Sequence, residues 1–214
     1  ESNLINIVLV DTIHPGNIGS VARAMKTMGL KRLSLVNPRI FPSDDAVALS
    51  GNATDVLKNA TVYKSIKEAI KESTFVYATS ARDRSIQWPI MNAEEAANDI
   101  YKKTISNKEI SIIFGKEDRG LTNDELELAN KLIEIPANPE YPVLNIAMST
   151  QIICYEILKA SSNLENKEWR DYPEVNSEPL QKLIYHFIYT SVDIDVIVSD
   201  NPKKIFSRIK RMFK

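Results

Sequence analysis

Five short runs of β-branched and other apolar residues set the architecture of this chain: INIVLV (5–10), LSLVN (33–37), FVYAT (75–79), ISIIF (110–114) and LIEIP (132–136). None alternates cleanly between apolar and polar residues, as a strand with one wet face would. Each therefore reads as a strand buried on both sides. Helical patterns fall between them, near 18–28, 65–72, 91–103 and 122–130, and a long helix is expected from Asn145 to Ala160. Continuous apolar strands alternating with helices predict an α/β fold, a parallel sheet with helices on both faces.

The pattern changes after that helix. SSNLENKEWRDYPEVNSEP (161–179) is polar, carries two prolines and reads as a linker. Two helices should follow, near 177–190 and 202–213. The expected organisation is a domain over 1–160 and a linker with a basic helical extension over 161–214. In the last helix Ile205, Phe206, Ile209, Met212 and Phe213 make an apolar stripe at helical spacing. The final twelve residues, KKIFSRIKRMFK, hold six Lys and Arg and no acid, although the 214-residue chain has a net charge of only −1. Such a helix can dock on its own protein with a solvated basic face, contact RNA, or lie on a membrane surface.

Several function classes are set aside at once. A hydrophobic content of 43% supports a sizeable core, yet no stretch approaches 18 consecutive apolar residues. No basic-then-apolar leader pattern opens the sequence. The lone Cys154 excludes an internal disulfide and a cysteine-based zinc site, and His14 and His186 lie far apart, so no metal is expected. A reducing cytoplasm is the expected compartment.

Four stretches at the C-terminal ends of strands could carry chemistry. HPGNIGSVARAM (14–25) leads from a strand through a glycine-framed turn into a helix. Asn17 reads as the helix N-cap, and Gly16 and Gly19 as residues that keep the backbone approachable. Arg23 falls opposite the apolar side formed by Ile18, Val21, Met25 and Met28. The turn lacks both the G-x-G-x-x-G spacing and the phosphate-loop motif. The others are TSARDRSIQWP (79–89), with Arg82 and Arg84; IIFGKEDRGLTNDE (112–125), in which Thr122 and Glu125 make a capping-box pair; and IEIPANPEYPVLNIAMSTQ (133–151). Each can be a purely structural turn. Together they could converge on one site where ligands bind in open α/β sheets.

HPGNIGSVARAM, FGKEDRGLTNDE and IPANPEYPVLNIAMSTQ resemble, in order and spacing, the three motifs of the SPOUT RNA methyltransferases of the TrmH type. The resemblance covers residues 5–160. Within the family it is nearest to enzymes that methylate the ribose 2′-oxygen of nucleotide 32 in the tRNA anticodon loop. It implies a SPOUT fold with a deep C-terminal trefoil knot and a homodimer whose site combines residues of both subunits. It also implies S-adenosylmethionine (SAM) as methyl donor, held mainly by backbone groups. Carried over, the cofactor loops hold Thr79, Ser80 and Ala81, then Gly115, then Ile135, Pro142, Val143 and Leu144. Arg23, Asn17, Glu117 and Asn145 become the catalytic set. RNA contacts are expected from His14, Arg23, Arg82, Arg84, Arg119, Lys203, Lys204, Arg208, Lys210 and Arg211. One departure stands out: the family's usual Ser-Leu-Asn is Val143-Leu144-Asn145 here, so a hydroxyl expected near cofactor and ribose is missing. The alternatives are an rRNA 2′-O-methyltransferase of the same family, an inactive RNA-binding relative, and an unrelated nucleotide-binding α/β protein.

Overall fold

The computed structural model describes residues 2–80, 89–161, 175–197 and 204–212. Its strands are β1 (Ile5–Val10), β2 (Arg32–Val36), β3 (Thr61–Tyr63), β4 (Phe75–Thr79), β5 (Ile90–Asn92), β6 (Ile110–Phe114) and β7 (Lys131–Glu134). Its α-helices are α1 (Pro15–Thr27), α2 (Asp44–Ser50), α3 (Thr54–Lys58), α4 (Ile66–Ala69), α5 (Ala93–Ile105), α6 (Asn123–Leu126), α7 (Ile146–Ser161), α8 (Ser177–Asp193) and α9 (Ile205–Met212). Two compact units contain them, Glu1–Leu164 and Glu165–Lys214.

The strands form one sheet in the order β3-β2-β1-β6-β4-β7-β5, with every neighbouring pair parallel. Every residue of β1 and β6 is buried, as runs without alternation require. Along β1 the side chains divide between the faces. Ile5, Ile7 and Leu9 join a core with Ile18, Met25, Ile100, Ile153 and Ile157 of α1, α5 and α7. Val8 and Val10 join a second core with Ile66 and Leu126 of α4 and α6. The expected parallel sheet, covered on both faces, is present. The one polar break in β1, Asn6, is buried and satisfied: Ser34 donates to it at 2.8 Å, and its amide reaches Ser111 Oγ at 3.1 Å.

This strand order decides where chemistry can occur. The chain runs outward from β1 through β2 to β3, then crosses to the other side of the sheet. The C-terminal ends of β1, β6, β4 and β7 are consecutive, so the loops that leave them crowd one rim.

Some boundaries differ from the sequence reading. Helix α1 starts at Pro15, with His14 at the N-cap and no side-chain cap. Proline at the first helical position has the required φ and lacks an N–H that would go unbonded there. Asn17 is therefore in the first turn and is not the cap. Gly19 serves packing: a Cβ there would lie 2.1 Å from the Ala46 carbonyl oxygen of α2. The short elements β3, β5, α2 and α3 have too few residues to show a period. Helices α4 and α6 are a single turn each, shorter than 65–72 and 122–130; the Thr122–Glu125 capping box does form.

In the second unit, Ile184, Ile197 and Ile209 make a small core, with Leu180, Ile188, Val192 and Phe206 against it. The expected stripe on α9 is narrower than its sequence: Met212 is 79% exposed. No helix among the described residues is long and apolar enough to cross a membrane.

Candidate active site

Glu117 lies in the loop after β6, and its carboxylate is the hub of the crowded rim. The backbone N–H of Ile13 donates to it at 2.9 Å, that of His14 at 3.2 Å, and the Asn17 amide at 2.9 Å. These donors come from the end of β1 and the first turn of α1, about a hundred residues away in sequence. A carboxylate at this point also faces the positive end of the α1 dipole. Partial burial would raise the Glu117 pKa. The bonds from Asn17 and from the backbone N–H groups outweigh it and hold the group below its ordinary range.

An ionised carboxylate only accepts hydrogen bonds, and this fixes every amide around it. Asn17 must turn its NH2 to Glu117, which leaves its oxygen free. Asn145 donates to that oxygen at 3.2 Å. The Asn145 oxygen in turn accepts from Ala147 N–H at 2.8 Å, capping α7. Three segments that are remote in sequence are thereby locked in one orientation: the start of α1, the loop after β6 and the start of α7.

Behind this lock is a cavity. The structure brings Thr79, Ser80, Gly115, Ile135, Pro142, Val143 and Leu144 around it, together with Glu117 and Arg119. Ser80 N–H donates to Ile133 O at 3.1 Å, and Thr79 Oγ1 to Ile113 O at 3.2 Å, so both residues are tied to neighbouring strands. Gly115 permits the tight return at 116–120. A Cβ on it would come within 2.4 Å of Gly120 C and Leu121 N, and Gly120 itself has φ +68°. Phe114, Leu121, Ile133 and Ile146 give the wall an apolar character suited to a flat ring. Lys116, Asp118 and Ser149 also line the cavity. The sequence reading missed these three; for Ser149 the signal was its place one helical turn after Asn145.

The remaining candidates are placed as follows. Arg23 is exposed on α1, outside the cavity lining, and makes no side-chain hydrogen bond or ion pair among the described residues. The His14 side chain is exposed. Lys204, Arg208, Lys210 and Arg211 are exposed in or beside α9. Ala81, Arg82, Arg84 and Lys203 lie outside the described residues. Gly16 is not an open approach, because a Cβ there would meet Leu49 Cδ1 at 2.7 Å. Burial pushes the Cys154 thiol up to about 12, so it is no nucleophile. No group of three or more potential metal ligands occurs among the described residues.

A second cavity opens at the C-terminal ends of β1 and β2, lined by Asp11, Asn37, Lys67, Asp124, Glu125 and Glu127. Its carboxylates outnumber its single lysine, and of the three motifs only the end of the second, Asp124 and Glu125, reaches it. It does not suit a polyanion.

Residues 4–155 match the profile of the SpoU rRNA Methylase family. A Pseudomonas aeruginosa protein, "tRNA (cytidine/uridine/adenosine-2'-O-)-methyltransferase TrmJ", is 37% identical across 98% of this chain and 85% of its own length. An Escherichia coli protein, "tRNA (cytidine/uridine-2'-O-)-methyltransferase TrmJ", is 39% identical across 98% and 86%. Among solved structures, TrmJ from Z. mobilis ZM4 superimposes with a TM-score of 0.75 at 31% identity, covering 97% of this chain and 89% of that one.

Proposed function

The chain belongs to the SpoU rRNA Methylase family, and from that premise we propose that it moves a methyl group from SAM to a ribose 2′-oxygen of tRNA, at nucleotide 32 of the anticodon loop. The observation that carries this reading is the convergence of three sequence-remote loops on one cavity, cross-braced by Asn17, Glu117 and Asn145. The names of the relatives supply the substrate class. Ribosomal RNA is a second reading, favoured by the family's description.

The residues present fit the donor. The apolar wall suits its adenine, and the missing side chain at Gly115 lets the backbone of the return at 116–120 close up beside the cavity. Bound SAM supplies a methyl already activated by a sulfonium. What this chain must do is align the ribose oxygen and help its proton leave. A guanidinium with pKa above about 12 is a poor base. Arg23 therefore stabilises the developing alkoxide and a nearby phosphate, and a phosphate oxygen or a water takes the proton. Arg23 is exposed and outside its own chain's cavity, so we place it at the cavity of a second copy, in a homodimer whose site is shared. The family's C-terminal trefoil knot and a cytoplasmic location belong to the same reading. His14, Arg119 and the basic residues of α9 contact tRNA phosphates. Residues 1–160 form the catalytic domain and 161–214 the RNA-binding extension.

The test is transfer of labelled methyl from SAM to unmodified tRNA, followed by mapping of the modified ribose. Modification at nucleotide 32 is expected. Arg23→Ala should lower turnover by about 100-fold or more, with the melting temperature unchanged because the side chain is off the apolar face. Labelling of rRNA alone, or of no RNA at all while SAM still binds, would replace this reading with one of its alternatives.

A further inference from the structure

The second unit carries an exposed pair of aromatic rings that its own core does not use. Leu180, Ile184, Ile188 and Val192 of α8 face Ile197, Phe206 and Ile209. That orientation turns Tyr185 and Tyr189 outward, 61% and 75% exposed. They are one helical turn apart on the same flank, about 6 Å along the axis. The Lys210 ammonium of α9 lies 5.6 Å from the centre of the Tyr185 ring. Lys210 belongs to a helix with Arg208 and Arg211 and no acid. Of the carboxylates on that flank, Glu178 is paired with Lys182 at 2.7 Å, and Asp193 ends α8 one helical turn beyond Tyr189.

Aromatic rings set among cations are a poor surface for water and a good one for unpaired bases. The rings stack on the base faces, and the cations meet the phosphates. Two side chains four residues apart on one flank offer neighbouring ring faces, on which unpaired bases can stack. We infer that Tyr185 and Tyr189 form a stacking platform for unpaired tRNA bases, with Lys210 on an adjoining phosphate. This rests on the tRNA reading above. It adds a contribution that salt does not screen to a basic helix whose other contacts are electrostatic.

The experiment is binding of one unmodified tRNA transcript to the full chain at several salt concentrations. The Tyr185→Ala/Tyr189→Ala variant should bind at least about tenfold more weakly at every concentration. Its slope of log affinity against log salt should be unchanged, because stacking releases no counterions. The Tyr185→Phe/Tyr189→Phe variant should bind as the wild type does, and SAM affinity should be the same in all of them. Lys210→Ala should instead flatten the slope by about 0.7. If the double alanine variant binds tRNA as tightly as the wild type, the platform is wrong and the tRNA reading stands. A changed oligomeric state in that variant, seen by sedimentation, would assign the tyrosines to a protein interface and also overturn it. Wild-type protein that fails to bind tRNA at all would remove the tRNA reading and the platform with it.

Discussion

Glu117 and Asp99 are both carboxylates held below their ordinary range, at opposite ends of one sheet, by different partners. Glu117 stands at the C-terminal ends of the strands and takes its bonds from neutral donors: two backbone N–H groups and an amide. Asp99, on α5, meets Lys131 at the start of β7 at 2.8 Å and also Lys103. Tyr77 donates to it at 2.7 Å. The Lys103 ammonium sits 4.2 Å from the Phe75 ring centre. Burial would raise the Asp99 pKa, but the lysines and the tyrosine hold it far below the usual range. Asp99 in turn raises the Tyr77 hydroxyl, where burial is the larger cause. The Asp99 cluster sets one carboxylate between two lysines and borders no described cavity; it fastens α5 to the sheet. The Glu117 cluster leaves a negative charge among loops that frame a cavity. A carboxylate surrounded by neutral N–H groups organises backbone around itself, which is what a site assembled from loops requires.

Substitutions should separate the two. Glu117→Ala strips the acceptor from Ile13, His14 and Asn17, and frees the Asn17 amide to rotate. Methyl transfer should fall by about 100-fold, with a smaller loss of stability; steady-state kinetics and denaturant melts on one preparation would show it. Asp99→Ala should do the reverse. It leaves two half-buried lysines unpaired and should cost about 3 kcal/mol of stability, with turnover per folded molecule unchanged. If Asp99→Ala reduced turnover as much as Glu117→Ala, the two ends would not differ in role.

Acid should reach the Glu117 end first. Each carboxylate has a lowered pKa in the fold, so its stabilisation is complete above the unfolded value and fades as pH falls through the folded one. The ordinary values are 4.5 for Glu117 and 3.8 for Asp99, and Asp99 is depressed further. Hydrogen exchange at Ile13 and His14 should therefore rise as pH drops below about 4.5, while Lys131 stays protected to lower pH. Simultaneous loss would mean that the two clusters are one cooperative unit.

The smallest effect is expected at Val143, half-exposed on the cavity wall. If the absent hydroxyl limits the reaction, Val143→Ser should raise the rate by a few-fold with SAM affinity unchanged, measured by single-turnover transfer and calorimetry. A lower rate would show a loop rebuilt around Pro142 and Val143.

The buried centre of this fold was legible in the sequence because burial on both faces leaves uninterrupted apolar runs: β1, β4 and β6 begin and end at 5–10, 75–79 and 110–114. The three-residue strands β3 and β5 were not, since their neighbours supply the reason to be extended. The loops of the site were legible one by one, but their joining was not. No local pattern reports that Asn17 bonds Glu117 and Asn145, because the sheet order that brings them together is a property of the whole chain. Asn17 was misread as a cap for the same reason: its side chain serves a partner a hundred residues away, and Pro15 starts the helix without it.

Hydrogen exchange with and without SAM reports most directly on whether the braced cavity holds the methyl donor. Bound SAM should slow exchange at 115–121 and at 143–149, around the cavity that Glu117, Asn17 and Asn145 brace. Slowed exchange instead at Asp11, Asn37 and Lys67, which line the acidic second cavity, or no change at either place, would contradict it.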